Sequence, residues 1–168
     1  MPERTVISNT SPILYLHQVG HLDLLRRLYA RILVPSSVRD ELRAGAERRV
    51  DVPELSGLAW IEVRKLPSEP LPPAVEKLGA GEAGAIYLGL RHQPCLLLLD
   101  DLPARRIASE LGLTRTGTLG ILIKAKQRGL IAAVAPVLKE LATTTMWLGE
   151  DLIAAVLAEA GEGPSTDA

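Results

Sequence analysis

The run Cys95-Leu96-Leu97-Leu98-Leu99, closed by Pro94 on one side and by Asp100-Asp101 on the other, leaves the chain few ways to fold. A strand with no polar face must be covered on both sides, and such strands belong to parallel sheets with helices over each face. The sole cysteine of the chain lies inside this run, so it has no intrachain disulfide partner and reads as a small core residue. Burial in apolar surroundings raises a thiol's pKa and makes it unreactive.

The rest of the chain repeats the strand-then-helix rhythm. Thr5-Val6-Ile7-Ser8 is β-branched and stops at Asn9-Thr10-Ser11-Pro12, where Pro12 suits a first helical turn. Apolar residues from Ile13 to Leu28 then recur at helical spacing, broken into two short helices at Gly20. A second strand, Ile32 to Val34, leads into a helix opened by Pro35-Ser36-Ser37, with Ser37 and Asp40 at capping-box spacing and an end near Gly45. Trp60 to Val63 alternates like a strand with one wet face, and Pro67 to Pro73 is a connector. A helix from Gly81 to about His92 feeds the buried strand. Beyond it come a helix at Pro103 to Leu111, a short strand at Thr114 to Thr118, and a helix at Leu119 to Arg128. Pro136 to Leu141 and Gly149 to Ala160 read as two further amphipathic helices, and Gly161 to Ala168 as a frayed tail.

At 168 residues, 47% of them apolar, the chain suits one α/β domain spanning residues 1–161, with a core at about 5–130, carboxy-terminal helices at about 134–160 and a flexible tail at 162–168. A net charge of -1 advertises no overall attraction to nucleic acid, so any such surface must be local. No stretch approaches the roughly 18 to 20 apolar residues of a membrane span. Met1-Pro2-Glu3-Arg4 lacks a secretory leader's apolar region, so a cytoplasmic location is expected.

Ligands of an open parallel sheet bind beyond the carboxyl ends of its strands, which singles out Asn9 and the Asp100-Asp101 pair. Adjacent carboxylates repel unless solvated, protonated or bridged by a cation. Glu41 stands at the edge of its helix's apolar face, and Glu82 stands in the first turn of its own helix, at the positive end of the macrodipole. Solvated aspartates, a solvated Glu41 and a simple dipole partner at Glu82 account for the same residues singly. Together they suit a hard divalent cation, which takes oxygen ligands, and the four acids are expected to converge on one such site.

Three other patterns are weaker. Gly79, Gly81 and Gly84 spell G-x-G-x-x-G, but they follow Pro72 to Leu78 rather than a buried strand, and Glu82 would face a pyrophosphate. His17, His21 and His92 share no ligand spacing with cysteine, which argues against zinc. Arg105, Arg106, Arg115, Lys124, Lys126 and Arg128 cluster after Asp101 as a phosphate-binding rim or a solvated helix face, with few aromatic residues nearby to stack bases.

In order, Val6-Ile7-Ser8-Asn9-Thr10-Ser11-Pro12, Val34-Pro35-Ser36-Ser37-Val38-Arg39-Asp40-Glu41-Leu42, Gly81-Glu82-Ala83 and Leu98-Leu99-Asp100-Asp101 resemble the PIN-domain nuclease superfamily. Arg105-Arg106, Thr116-Gly117-Thr118-Leu119-Gly120 and the carboxy-terminal helices are similar to a prokaryotic PIN-like subgroup of nucleic-acid-binding proteins. The resemblance spans about residues 5 to 161. It implies a three-layer α/β/α domain with a central parallel sheet, and magnesium- or manganese-dependent cleavage of RNA. On that resemblance Glu41, Glu82 and Asp101 match the second, third and fourth acids, with Asp100 as helper or substitute and Asn9 where aspartate is usual. Asn9, Glu41, Glu82 and Asp101 would then hold the metal. Thr10, Ser11, Arg105, Arg106, Thr118 and Lys124 would meet the nucleic acid, although Thr10 and Ser11 also suit capping of the helix they open. Two functions stay open: a ribonuclease, extending to the toxin of a toxin–antitoxin pair, and a module that binds nucleic acid or protein without cutting because Asn9 adds no charge. The expected partner is RNA, with an antitoxin or a second copy of the chain as further candidates. The stripe Leu148, Leu152, Ile153, Val156 and Leu157 would serve such a copy or pack on its own core.

Overall fold

A computed structural model describes residues 4–163. Five parallel strands, β1 (Thr5–Ser8), β2 (Ile32–Pro35), β3 (Ile61–Arg64), β4 (Cys95–Leu98) and β5 (Thr114–Thr116), lie in the order β3-β2-β1-β4-β5. The chain builds outward from the central β1 through β2 to β3, then crosses back to set β4 on the other side of β1. Register is fixed along the inner pair, with Val6 beside Leu96 and Ile7 beside Leu97. That reversal between β1 and β4 makes a crevice outside their carboxyl ends.

The apolar run of β4 is covered on both sides, as its composition requires. Leu96 and Leu98 join Val6, Ile32 and Val34 in one core, packed by Ile13 and Leu16 of α1 (Thr10–Gln18), Leu24 and Leu25 of α2 (Asp23–Tyr29), Val38 and Leu42 of α3 (Ser36–Glu47), and Ile121 and Leu122 of α7 (Thr118–Gln127). Leu97 and Leu99 join Ile7 and Leu33 in a second core beneath α4 (Pro73–Glu76), α5 (Ala80–Arg91) and α6 (Leu102–Glu110). The period of two along each strand sorts the side chains into these layers, giving the three-layer α/β/α arrangement. Cys95 is buried in the second core, and burial pushes its thiol pKa up.

The carboxy-terminal helices α8 (Ala135–Leu141) and α9 (Glu150–Glu159) pack Val137, Leu138, Leu141 and Val156 into the first core. The predicted stripe divides here: Leu148, Ile153 and Leu157 pack against this core with Val156, while Leu152 stays exposed. No helix among the described residues is long and apolar enough to cross a membrane.

Several local expectations need correction. Ser37 and Asp40 form no capping box: Pro35 occupies the N-cap of α3, no side chain caps it, and the Ser37 hydroxyl is buried without a partner. The end of α3 at Glu47 agrees with the expected end near Gly45. The four-residue α4 was not foreseen, because its Pro72-Pro73 start reads locally as connector. The predicted frayed tail begins too early. Gly161 and Glu162 are described, and Glu162 accepts hydrogen bonds from the Val134 and Ala135 backbone N–H groups (2.7 and 3.1 Å) and from Lys126 Nζ (3.1 Å). One carboxylate thus closes the start of α8 against α7, while residues 164–168 of the expected tail lie outside the described residues.

Candidate active site

Continuing the alternation of β1 past its end decides where Asn9 points. Val6 and Ser8 face the first layer, so Asn9 faces the second, where the amino end of α5 lies. Its side chain is 1% exposed; Nδ2 donates to Glu82 Oε1 (3.2 Å), and Oδ1 is buried with no hydrogen-bond partner. Glu41 reaches the same point from α3. Its Oε1 accepts the Gly81 backbone N–H (2.9 Å), and its Oε2 accepts the Thr10 hydroxyl. Glu41 and Glu82 therefore both lie at the first turn of α5, where unpaired N–H groups and the helix dipole favour negative charge.

The glycine pattern takes its meaning from this cluster. A Cβ at Gly81 would stand 2.6 Å from Glu41 Oε2 and 2.7 Å from Asn9 Oδ1, and one at Gly79 would stand 2.5 Å from Glu82 Oε2. A Cβ at Gly84 would meet the Ser37 hydroxyl at 2.7 Å. The three glycines leave room for carboxylates and for a neighbouring helix, not for a pyrophosphate.

The same alternation parts the two aspartates. Asp100 falls on the first-layer side and meets the start of α7: Oδ1 accepts the Thr118 N–H and Oδ2 its hydroxyl, both at 2.7 Å. Burial raises the Asp100 pKa, and the Thr118 donors and then the Arg105 charge act against it. Asp101 turns the other way, is exposed, and caps α6 by accepting the Ala104 N–H (3.0 Å). Of the pair, Asp100, expected as helper or substitute, is the one directed inward.

A cleft of 780 Å³ is lined by the polar residues Glu82, Asp100, Asp101, Arg105 and Arg115 and by the apolar Leu102 and Trp147, while Asn9 and Glu41 reach it only through Glu82. Ser11 lines it too; neither Ser11 nor Thr10 caps α1, whose N-cap Asn9 makes no side-chain cap bond. Thr118 is buried and engaged with Asp100, so it positions that acid rather than facing solvent. Arg105 donates to the Leu99 carbonyl (3.0 Å). Arg106 is exposed on α6 and does not line the cleft. Lys124 corrects the expected rim: it lies at the opposite end of the sheet, with Arg128, beside the residues that begin β1 and β2. Lys126 is engaged by Glu162 and the Ala160 carbonyl. His17 pairs with Asp51 (2.9 Å) and His92 lies 3.3 Å from Arg64, so neither belongs to the cleft.

Sequence reasoning missed Gly79 and Gly81 as parts of the site, although glycines flanking an acid at a helix start were a usable signal. It also missed Trp147, 83% exposed, whose ring lies against Gly149, where a Cβ would stand 2.8 Å from it. Only the fold brings it to the cleft.

Among the described residues no three His, Cys, Asp or Glu side chains gather into a metal-holding group. What does gather is two carboxylates and the orphaned amide oxygen of Asn9, an all-oxygen set on a tight glycine floor. That set fits a hard cation, since magnesium is commonly held by one or two carboxylates and keeps several waters.

No curated protein matches the chain. A family profile described as a PIN domain matches residues 5–162, nearly the whole of it. With the parallel sheet ordered around β1 and the acids set at its switch point, the chain belongs to the PIN-domain family.

Proposed function

We propose that the protein is a divalent-metal-dependent endoribonuclease. PIN domains have a nuclease-like fold, generally bind nucleic acids and generally use divalent metals. The observation that carries the reading is the meeting of Asn9, Glu41 and Glu82 at the amino end of α5, with one buried acceptor left unsatisfied. Asn9 Oδ1, Glu41 and Glu82 would hold magnesium or manganese; such a cation, when bound, lowers the pKa of an attacking water and neutralises charge on the phosphate. Thr10 and Gly81 fix the Glu41 carboxylate. Arg105 and Arg115 face the cleft where a phosphodiester would lie, and the Arg115 Nε is buried with no protein partner. Asp100 lines the same cleft as Glu82.

One observation favours a weaker catalyst or a binding module. Asn9 donates an N–H to Glu82, so it offsets part of the local negative charge where aspartate would add to it. In its toxin form the proposal assigns the exposed Leu102, Trp147 and Leu152 beside the cleft to an antitoxin.

Cleavage of mixed RNA substrates with manganese tests the proposal, run beside Glu41→Gln, Glu82→Gln and Asn9→Asp. Metal-dependent cleavage lost in the two glutamine variants supports the nuclease. Activity absent from the natural sequence and switched on by Asn9→Asp establishes the binding module instead.

A further inference from the structure

A second concavity lies at the other end of the sheet, where the strands begin. It has a volume of 590 Å³ and is lined by Arg4, Arg31, Arg64, Lys124 and Arg128, with Glu62 its only carboxylate among the described residues. The cations come from four places: the segment before β1, the turn before β2, the edge strand β3, and the last turn and end of α7. Attraction to the carboxyl end of α7 accounts for Lys124 and Arg128 alone. Arg31 and Arg64 share Glu62, at 3.3 and 2.6 Å. Lys124 has no carboxylate partner among the described residues; its ammonium lies 5.3 Å from the Tyr29 ring centre. In a chain whose formal charge is -1, such a concentration of cations in one hollow needs a counter-charge.

Tyr29 supplies a second observation. Tyr29 lines this concavity, and its hydroxyl is buried with no hydrogen-bond partner. A buried hydroxyl left unpaired is costly, and a hydroxyl among cations is completed by an anionic acceptor. The cations surround a hollow instead of forming a stripe, which suits charge gathered in one place. Their guanidinium groups match phosphate oxygens in geometry as well as sign.

We propose that this concavity is a binding site for a phosphate-bearing ligand, held by Lys124, Arg128 and Arg4 beside Tyr29 and separate from the acidic cleft. Glu62 restrains it by occupying Arg31 and Arg64, so the site is tuned by one removable negative charge. The site stands whether or not the acidic cleft cuts RNA.

Isothermal titration of the full chain in metal-free buffer tests this, with pyrophosphate, a nucleoside triphosphate and a 5′-phosphorylated oligoribonucleotide as probes. Saturable binding of at least one probe is expected, weakened about tenfold or more by the double variant Lys124→Met/Arg128→Met. Glu62→Gln is expected to tighten the same probe severalfold, an effect of opposite sign that general loss of structure does not produce. Glu82→Gln should leave binding unchanged. Tighter binding of the triphosphate than of the oligonucleotide identifies a free nucleotide as the source, and the reverse identifies an RNA strand. Absence of binding for all three probes, or binding indifferent to both the Lys124/Arg128 and Glu62 changes, overturns the proposal.

Discussion

Adding one methyl group at Gly81 sets two ordinary effects against each other and gives them a measurable sum. Alanine in place of glycine near a helix start favours folding by up to about 1 kcal/mol through backbone entropy. Against this, the added carbon would stand 2.6 and 2.9 Å from the Glu41 carboxylate oxygens and 2.7 Å from Asn9 Oδ1. Carbon and oxygen settle at roughly 3.3 Å or more, so each oxygen must retreat by about half an ångström, against packing on every side. Overpacking of this kind costs about 1–3 kcal/mol. The net expectation for Gly81→Ala is a loss of about 1–2 kcal/mol, or a fall in melting temperature of roughly 2–8 °C for a chain of this size. Because the displaced atoms are those assigned to the cation, the rise in melting temperature caused by manganese should shrink with it. Thermal melts with and without manganese read both effects. Gly57→Ala, whose added carbon meets nothing within 4 Å, should be near neutral in both respects and serves as the control. A Gly81→Ala protein as stable as its parent, with an unchanged response to manganese, would refute the placement of Glu41 and Asn9 around this glycine.

Asn9→Asp places a carboxylate beside Glu82, 3.2 Å from the present amide nitrogen, and removes the donor that joins them. Without metal it should lower stability by roughly 1–3 kcal/mol, and with manganese it should show a larger stabilisation than the parent, both read from melts. Asp101→Ala removes the cap on α6 and should cost about 1 kcal/mol in denaturant unfolding; if Asp101 is only a cap, the response to manganese stays the same. Hydrogen bonds from Val134, then Ala135, then the contribution of Lys126 hold the Glu162 carboxyl below its ordinary value of 4.5. A depressed folded pKa stabilises above the unfolded value and ceases to as pH falls through the folded one. The stability gap between the parent and Glu162→Gln should therefore be widest near neutral pH and close on acidification below about 4.5, as denaturant titrations across pH would show.

The cleft links local backbone geometry to chemistry. Asn9 and Asp100 follow neighbouring strands on either side of the sheet's reversal, so the period of the strands and the order β2-β1-β4 together set them at one crevice. Thr10, Gly81 and Thr118, none of them acidic, hold the acids that are. Trp147 adds an exposed aromatic face to a cleft in an otherwise aromatic-poor chain.

Much of this was written in the residues themselves. The unbroken apolar run through Leu99 required a strand buried on both faces, the strand–helix rhythm required a parallel sheet, and polar residues just past apolar strands marked Asn9 and Asp100, because these depend on short-range periodicity and the aversion of apolar side chains to water. The carboxy-terminal helices were legible for the same reason. Tertiary structure alone decided the rest. Adjacent residues at a strand end point to opposite layers, so only the placement of α6 and α7 reveals that Asp101 caps a helix while Asp100 turns inward. Lys124 directly follows Ile123, which lines the cleft, and lies only six residues past Thr118, about 9 Å along α7, yet its side chain lines the hollow at the other end of the sheet because successive residues of a helix point about 100° apart. Linear spacing conveys which elements form and which residue types they carry; the distance between two side chains on different elements is fixed only when those elements pack.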